Sequence, residues 1–578
     1  MRLARIISIF FTLVIVLIVL STITTCTRTR TGADLILHNG KIVTMDDNLP
    51  SADALAVKGG KILAVGNYEG MKSYIDSHTM KFDLDGLTAI PGFIEGHAHF
   101  MGLGEMASKL KLQKAQNWDD IIAMVRDAVD KTKPGEWILG RGWHQEKWNH
   151  PPMPSIDGLP HHKTISQLTP DNPVWLKHAS GHAGFANQKA MDLAGISEET
   201  PDPEGGEIVR DKKGYPIGVF RENAMNLIDS ALQKYLDSRT PEQKYADRLG
   251  YAMNAVDECL ANGITSFHDA GEPFETIDFL RKLAAEGQLG VRLYVMISEP
   301  NDSLRGRLAD YKIIGEGHNF LTVRAIKRVI DGALGSHGAW LLEPYDDLPS
   351  STGLNTETIQ DMQATAQLAI ENGFQLCTHA IGDRANRETL DIYEDAFTTH
   401  PGRRNLRWRI EHAQHLSEQD IPRFGQLGVI AAMQGVHCTS DGPWVPTRIG
   451  EKRAEEGAYV WQKLMQSGAM ISNGTDAPVE DVDPIACFYS TVTRRMNNGR
   501  QFYPLQAMSR MQALQSYTCN PAYAAFEEDI KGSLTPGKLA DITVLSKDIL
   551  TIPPEEILDT EVEYTFVGGQ LMYRNRNK

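Results

Sequence analysis

The sequence predicts an α/β protein built around a (β/α)8 TIM barrel, and three observations predict it. Between about residues 91 and 532, short apolar strand candidates alternate with amphipathic stretches, the texture of a parallel sheet with helical crossovers. Eight such strands end near His99, His268, Ser298, Ile330, His379, His412, Gln434 and Thr475, with Ile359 to Asn372 one of the helices between them. Six candidate metal ligands (His97, His99, Lys327, His379, His412 and Asp476) stand at or near the ends of five of those strands. In a (β/α)8 barrel the active site gathers at the carboxyl ends of the strands, so ligands placed there belong together.

The elements outside the barrel follow in chain order. Residues 1–26 are set apart from the fold: Met1 to Arg5 is basic, Ile6 to Leu20 is almost wholly apolar, and Cys26 follows soon after. The apolar run suits a signal-peptide core of roughly 7–15 residues better than a span of roughly 20. It resembles a lipoprotein signal in which Cys26 becomes the lipidated residue, although Thr25 replaces the usual small residue. An uncleaved membrane anchor and an ordinary cleaved signal are the alternatives. Each puts the folded part outside the cytoplasmic membrane, and the first two attach it to the membrane as a periplasmic or cell-surface protein.

Residues 33–90 alternate and turn at Asn39-Gly40 and Gly59-Gly60, as hairpins do. Residues 533–578 share that texture, and chain termini tend to lie close together, so both segments are expected in one discontinuous β-sandwich. The stretch of about 105–250 is too long for a structureless loop and is expected as an insertion subdomain over the barrel mouth.

Composition excludes more than it assigns. The 58 Lys and Arg against 74 Asp and Glu give −16, with no basic stripe, so a nucleic-acid partner is not expected; charge says nothing about the chemistry, and a small-molecule substrate is expected on the ligand set below. Cys259, Cys377, Cys438, Cys487 and Cys519 are widely spaced and read as buried small hydrophobes.

The ligand set carries the chemistry. His97 and His99 point to one side of a strand, because side chains alternate with period two, and together can grip one ion. His379 and His412, on neighbouring strands, can grip a second. Zinc accepts imidazole nitrogen and carboxylate oxygen, and a catalytic site keeps one position open. Asp476 supplies an oxygen beside the activated water and can take its proton. Two ions about 3.5–4 Å apart would polarise a carbonyl from both sides. A protonated Lys327 would be repelled there, so it is deprotonated, modified or elsewhere.

The segments Pro91 to His99, Thr378 to Asp383, Glu411 to Gln414 and Gly474 to Pro478 resemble the amidohydrolase superfamily, in particular amidohydrolase family 3, the YtcJ-like metal-dependent hydrolases. The resemblance runs from about Ala33 to the carboxyl end and includes Gly181 to Asn187 and Asp202 to Ile208 in the insertion. It implies a (β/α)8 barrel with a flanking β-sandwich. It also implies hydrolysis of a non-peptide C–N bond by a metal-bound hydroxide, with Asp476 as base and then acid. By the same resemblance Lys327 is carboxylated and bridges two zinc or other divalent ions, and a homodimer is one form open to the protein.

Three further residues are candidates for substrate contact. His182 matches a family position in the insertion, Trp143 is a candidate for the pocket lining although a Trp is more often core, and His437 follows strand seven at the correct end of the barrel. His268 reads as a hydrogen-bonded wall and Asp331 as part of a strand-end turn. The rival functions are deamination, isomerisation, decarboxylation or phosphotriester hydrolysis on the same scaffold, and a binding lipoprotein without catalysis.

Overall fold

The computed structural model describes residues 32–576, apart from 146, 147, 157, 179–182, 204, 205 and 404. The segment 1–26 with Cys26, and His182, therefore lie outside the described residues. Five strands come first: β1 (Leu35–Val43), β2 (Ser51–Lys58), β3 (Lys61–Gly66), β4 (Met80–Asp83) and β5 (Thr88–Pro91). β6 (Phe93–Ala98) opens the barrel. The insertion supplies β7 (Leu110–Lys111), β8 (Ile138–Trp143), β9 (Ser155–Ile156), β10 (Leu159–Pro160), β11 (Val174–His178), β12 (Ala183–Ala186), β13 (Gly206–Arg210) and β14 (Pro216–Glu222). The barrel resumes with β15 (Ile264–Glu272), β16 (Arg292–Ile297), β17 (Ile313–Gly315), β18 (Leu321–Val329) and β19 (Gln375–Ala380). It continues with β20 (Arg409–His412), β21 (Ile430–Gln434) and β22 (Ile471–Gly474), before β23 (Ile542–Leu545), β24 (Val562–Val567) and β25 (Gln570–Arg574).

Eight of these strands form the (β/α)8 barrel, in the order β22-β21-β20-β19-β18-β16-β15-β6, with every pairing along that path parallel. Their apolar runs follow from burial on both faces, inward to the barrel and outward to helices. The helix Ile359–Asn372 shows how the crossovers are delimited: Thr358 caps its start by accepting from Asp361 N, and Gly373 ends it at φ 66°. The seam between β22 and β6 is tied just past the strand ends, where Asp476 N donates to His97 O and His99 N to Ala477 O, each at 2.8 Å. A side chain at Gly96 would come within 2.3 Å of Asn473 O, and one at Gly474 within 2.5 Å of His97 N, so both seam positions require glycine.

The two chain ends meet in one hydrogen-bonded sheet of eight strands, so residues 33–90 and 533–578 are brought together as expected. The joining pair is β23, which runs antiparallel directly alongside β5, with Ile542 opposite Pro91. β4 and β5 both run parallel to β1, at different points along it, so the sheet bends there. The bend brings Phe82 edge-on to Tyr564 and Phe566, with ring centroids 4.9 and 5.2 Å apart, over a core that includes Leu37, Leu55 and Val544. Barrel and sheet are joined by the buried pair Arg292–Asp541, bonded at 2.7 and 3.0 Å.

The insertion has its own six-stranded sheet, order β13-β14-β12-β11-β8-β7, with one core around Trp118, Trp143 and Phe185 and another around Trp175 and Phe220. It meets the barrel where Lys111 pairs with Glu258 at 2.8 Å, and a 380 Å³ crevice separates its Arg141 from the Pro478–Asp483 loop. Among the described residues no helix is long and apolar enough to cross a membrane.

Candidate metal centre

Glu95, His97 and His99 share the inward parity of β6 and its extension, so both histidines face the barrel axis. Asp476 meets them from just beyond β22: its Oδ1 lies 3.5 Å from His97 Nε2 and 3.3 Å from His99 Nε2. Those three ligand atoms all fall within 4.8 Å of one another. Asp476 sits at φ 59°, in the left-handed region that non-glycine residues rarely occupy. Such strain costs about 1–3 kcal/mol and persists where the surroundings impose it.

His412 reaches the same place by the same device. Glu411 already takes the inward position of β20, and alternation would send His412 outward. A φ of 74° at His412, followed by 43° at Ala413, breaks the alternation. The His412 ring then lies 4.8 Å from that of His97 and 4.4 Å from that of His379. Lys327, on β18 beside Cys377 of β19, is buried, with its Nζ 3.3 Å from Ala270 O. Burial lowers its pKa, against the pull of Glu411 and Asp476. The six predicted ligands thus come from β6, β18, β19, β20 and the end of β22, all at one end of the barrel.

The donor set fits a divalent metal. His97 Nε2, His379 Nε2 and Asp476 Oδ1 are buried and have no hydrogen-bond partner, a costly state that a shared cation relieves. The charges agree: burial pushes the Asp476 carboxyl up, but its contacts with His97 and His99 outweigh this and hold it well below the ordinary range. Burial, then the Lys327 charge, lowers His379 to about 3, so its ring is a neutral donor.

Around these residues stands a layer that the sequence reading missed. Glu411 Oε2 bonds His97 Nδ1, and Arg409 grips both Glu411 oxygens at 2.7 and 2.8 Å. Gln434 Oε1 lies 2.8 Å from His412 Nδ1. Asp331, read as a strand-end turn, accepts the backbone N–H groups of Trp340, Ile381 and Gly382 at 2.9, 3.0 and 2.8 Å, with Oδ1 3.5 Å from His379 Nε2. The available signal was Arg409 and Glu411 two apart in a strand buried on both faces, where apolar side chains are the rule. His268 is the hydrogen-bonded wall expected of it, with Nδ1 3.0 Å from Arg409 Nη1.

The substrate-contact candidates fare differently. His437 is buried on the short helix after β21, and its Nε2 has no partner. His182 lies outside the described residues. Trp143 does not line a pocket: it is fully buried in the insertion core, where its indole donates to Leu176 O at 2.8 Å. A register shift between Arg141 and Trp143, with Gly142 at φ 108°, breaks the alternation along β8 and puts Trp143 in the same core as Ile138 in place of the pocket lining.

Fold and site define a metal-dependent hydrolase barrel. The chain matches the amidohydrolase family over residues 81–573 and belongs to that family. It is 31% identical over 547 residues to "Putative amidohydrolase YtcJ" of Bacillus subtilis, covering 93% of this chain and 99% of that one. It is 26% identical over 547 residues to "N-substituted formamide deformylase" of Arthrobacter pascens, covering 93% and 98%. The crystal structure of an uncharacterized metal-dependent hydrolase from Pyrococcus furiosus has a TM-score of 0.70 and 25% identity, covering 89% of this chain and 100% of that one.

Proposed function

We propose that this protein hydrolyses a non-peptide, amide-like C–N bond in a small molecule. The observation that carries the reading is the meeting of His97 Nε2 and His99 Nε2 at Asp476 Oδ1, at 3.5 and 3.3 Å, at the carboxyl end of the barrel. His97 and His99 with Asp476 would hold one divalent ion, zinc by donor chemistry, and His379 and His412 would hold a second beside it. When bound, the metal supplies Lewis-acid polarisation of the substrate carbonyl and lowers the pKa of a water to near neutrality. Asp476 takes the proton from the attacking water and returns it to the departing nitrogen, which leaves as an amine. His379 and His412, held below the ordinary imidazole range by burial first, stay neutral and do not compete for that proton.

Lys327 belongs to the same proposal as a carboxylated bridge between two ions. Its ammonium, lowered in pKa by burial, would first give up a proton, and the neutral amine would add to CO₂ with loss of a second, so that a cation would become an anion between the ligand pairs. The relative named as an N-substituted formamide deformylase favours N-formyl amines as the first substrate class to screen. The N-terminal segment is proposed to place this chemistry outside the cytoplasmic membrane.

The test is metal content and turnover of N-formyl and N-acyl compounds by the full chain, beside Asp476→Asn. About two equivalents of metal with amine release, lost in Asp476→Asn, is the expected result. About one equivalent removes the Lys327 bridge, and ammonia as the product from an aminated heterocycle replaces the reading with deamination.

A further inference from the structure

Resting on the metal centre proposed above, we infer that Glu411 is a positioning residue that fixes the proton of His97 on Nδ1 and so presents Nε2 to the metal, with Arg409 as its dedicated counter-charge. An imidazole that donates through one nitrogen has its lone pair on the other, so the partner of Nδ1 decides which nitrogen is available as a ligand. His97 Nδ1 is bonded to Glu411 Oε2, and His97 Nε2 is the atom left unpartnered 3.5 Å from Asp476 Oδ1. The hydrogen bond and the free lone pair are at opposite ends of one ring.

The surroundings of Glu411 fit that task. A fully buried carboxylate is unstable unless its charge is matched, and Arg409, also fully buried, bonds both of its oxygens. Arg409 makes two further contacts, to Gly96 O at 2.7 Å and to His268 Nδ1 at 3.0 Å, which fix it against β6 and β15. The carboxylate is therefore held by an arginine that is itself tied to β6, the strand of the histidine it orients, and to the neighbouring β15. His412 has a neutral counterpart in Gln434, whose Oε1 stands 2.8 Å from its Nδ1. A pair serving stability alone would have no need to sit under a ligand, because matched apolar residues usually stabilise a core as well or better.

The experiment compares zinc binding by the full chain in wild type, Glu411→Leu and the double variant Arg409→Met/Glu411→Leu, which leave His97 Nδ1 no acceptor at this position, by competition with a chromogenic chelator. Thermal unfolding of the zinc-free proteins is measured alongside. Loss of such an orienting partner weakens metal affinity by about 10–100-fold. That loss is expected in both variants, while the double variant, which leaves no unpaired buried charge, unfolds near the wild-type temperature. Binding within about twofold of wild type in a folded double variant would reduce Glu411 to a partner for Arg409 and overturn the inference. A measurement on wild type needs no variant: ¹⁵N spectra of the zinc-loaded protein, with the His97 signals identified by their loss in His97→Gln, should show Nδ1 protonated. An unprotonated Nδ1 overturns the inference even if zinc is bound, whereas a wild type that takes up no zinc removes the centre itself.

Discussion

Glu95 Oε1 accepts the N–H of Thr475 at 2.8 Å, so a buried carboxylate on the first barrel strand holds the backbone that leads into Asp476. The same oxygen accepts His97 N at 3.1 Å, and one side chain therefore sets the spacing of two ligands across the seam. Glu95→Ala leaves both N–H groups buried and unpaired, at about 1–3 kcal/mol each. The expected outcome is a loss of that order in urea unfolding together with weaker metal binding. A stability loss with unchanged metal affinity would show that the seam does not position Asp476.

Arg292 and Asp541 join the barrel to the terminal sheet with side chains only 4% and 5% exposed. Asp541 also accepts Gly568 N at 2.8 Å, which draws the β24–β25 turn into the same contact. Removing one partner from such a pair leaves an uncompensated buried charge and costs about 3–5 kcal/mol. Arg292→Met is expected to lose that much in thermal or urea unfolding. Arg292→Met/Asp541→Leu is expected to recover most of it, and failure to recover would mean that the pair's other hydrogen bonds matter more than its charge.

How much of this was legible in the sequence depended on whether burial and pairing agreed with local pattern. The barrel strands were legible because burial on both faces makes them apolar runs, and His97, His99, His379 and Asp476 interrupt those runs at their ends. His412 was legible as a residue type, but not the backbone turn that aims it inward, because a φ of 74° at a histidine leaves no compositional trace. Arg409 and Glu411 were read past because an alternating charged pair resembles a solvated strand face until the strand is known to be enclosed. The meeting of the two chain ends was legible because both segments alternate alike and chain ends tend to lie close together, but not the particular pairing of β5 with β23, which neither segment encodes alone. Trp143 is ambiguous by type, and only the register shift at Gly142 turns it into the insertion core.

Asp331 ties the loop after β18 to the end of β19 by accepting three backbone N–H groups, two on Oδ2 and one on Oδ1. Asn at this position keeps one acceptor and turns a donor toward one of those amides. The expected cost is about 1–3 kcal/mol in denaturant unfolding. Because His379 lies just before Ile381, the substitution is also expected to raise KM or lower metal occupancy. Asp331→Asn with wild-type stability would show that the loop is held by its other contacts.

Asp269 and Glu272 set a pH dependence at the end of β15 that the metal ligands do not. Both are buried and close together: burial, then the charge of Asp269, raises the Glu272 carboxyl far above its ordinary value of 4.5. Asp269 is raised in turn, by burial first. The folded protein therefore keeps a proton on this pair at pH values where the unfolded chain has released it. Wherever the folded state binds more protons, stability falls as pH rises. The contribution is thus fully present below the ordinary carboxyl range and is lost progressively as pH climbs toward the raised value. Glu272→Gln carries its donor permanently and removes this slope. It is expected to unfold like wild type near pH 4 and to be more stable than wild type at pH 8, by urea unfolding at both values. Equal stability at pH 8 would mean that Glu272 is ionised in the folded protein, its charge matched by a cation close to Asp269.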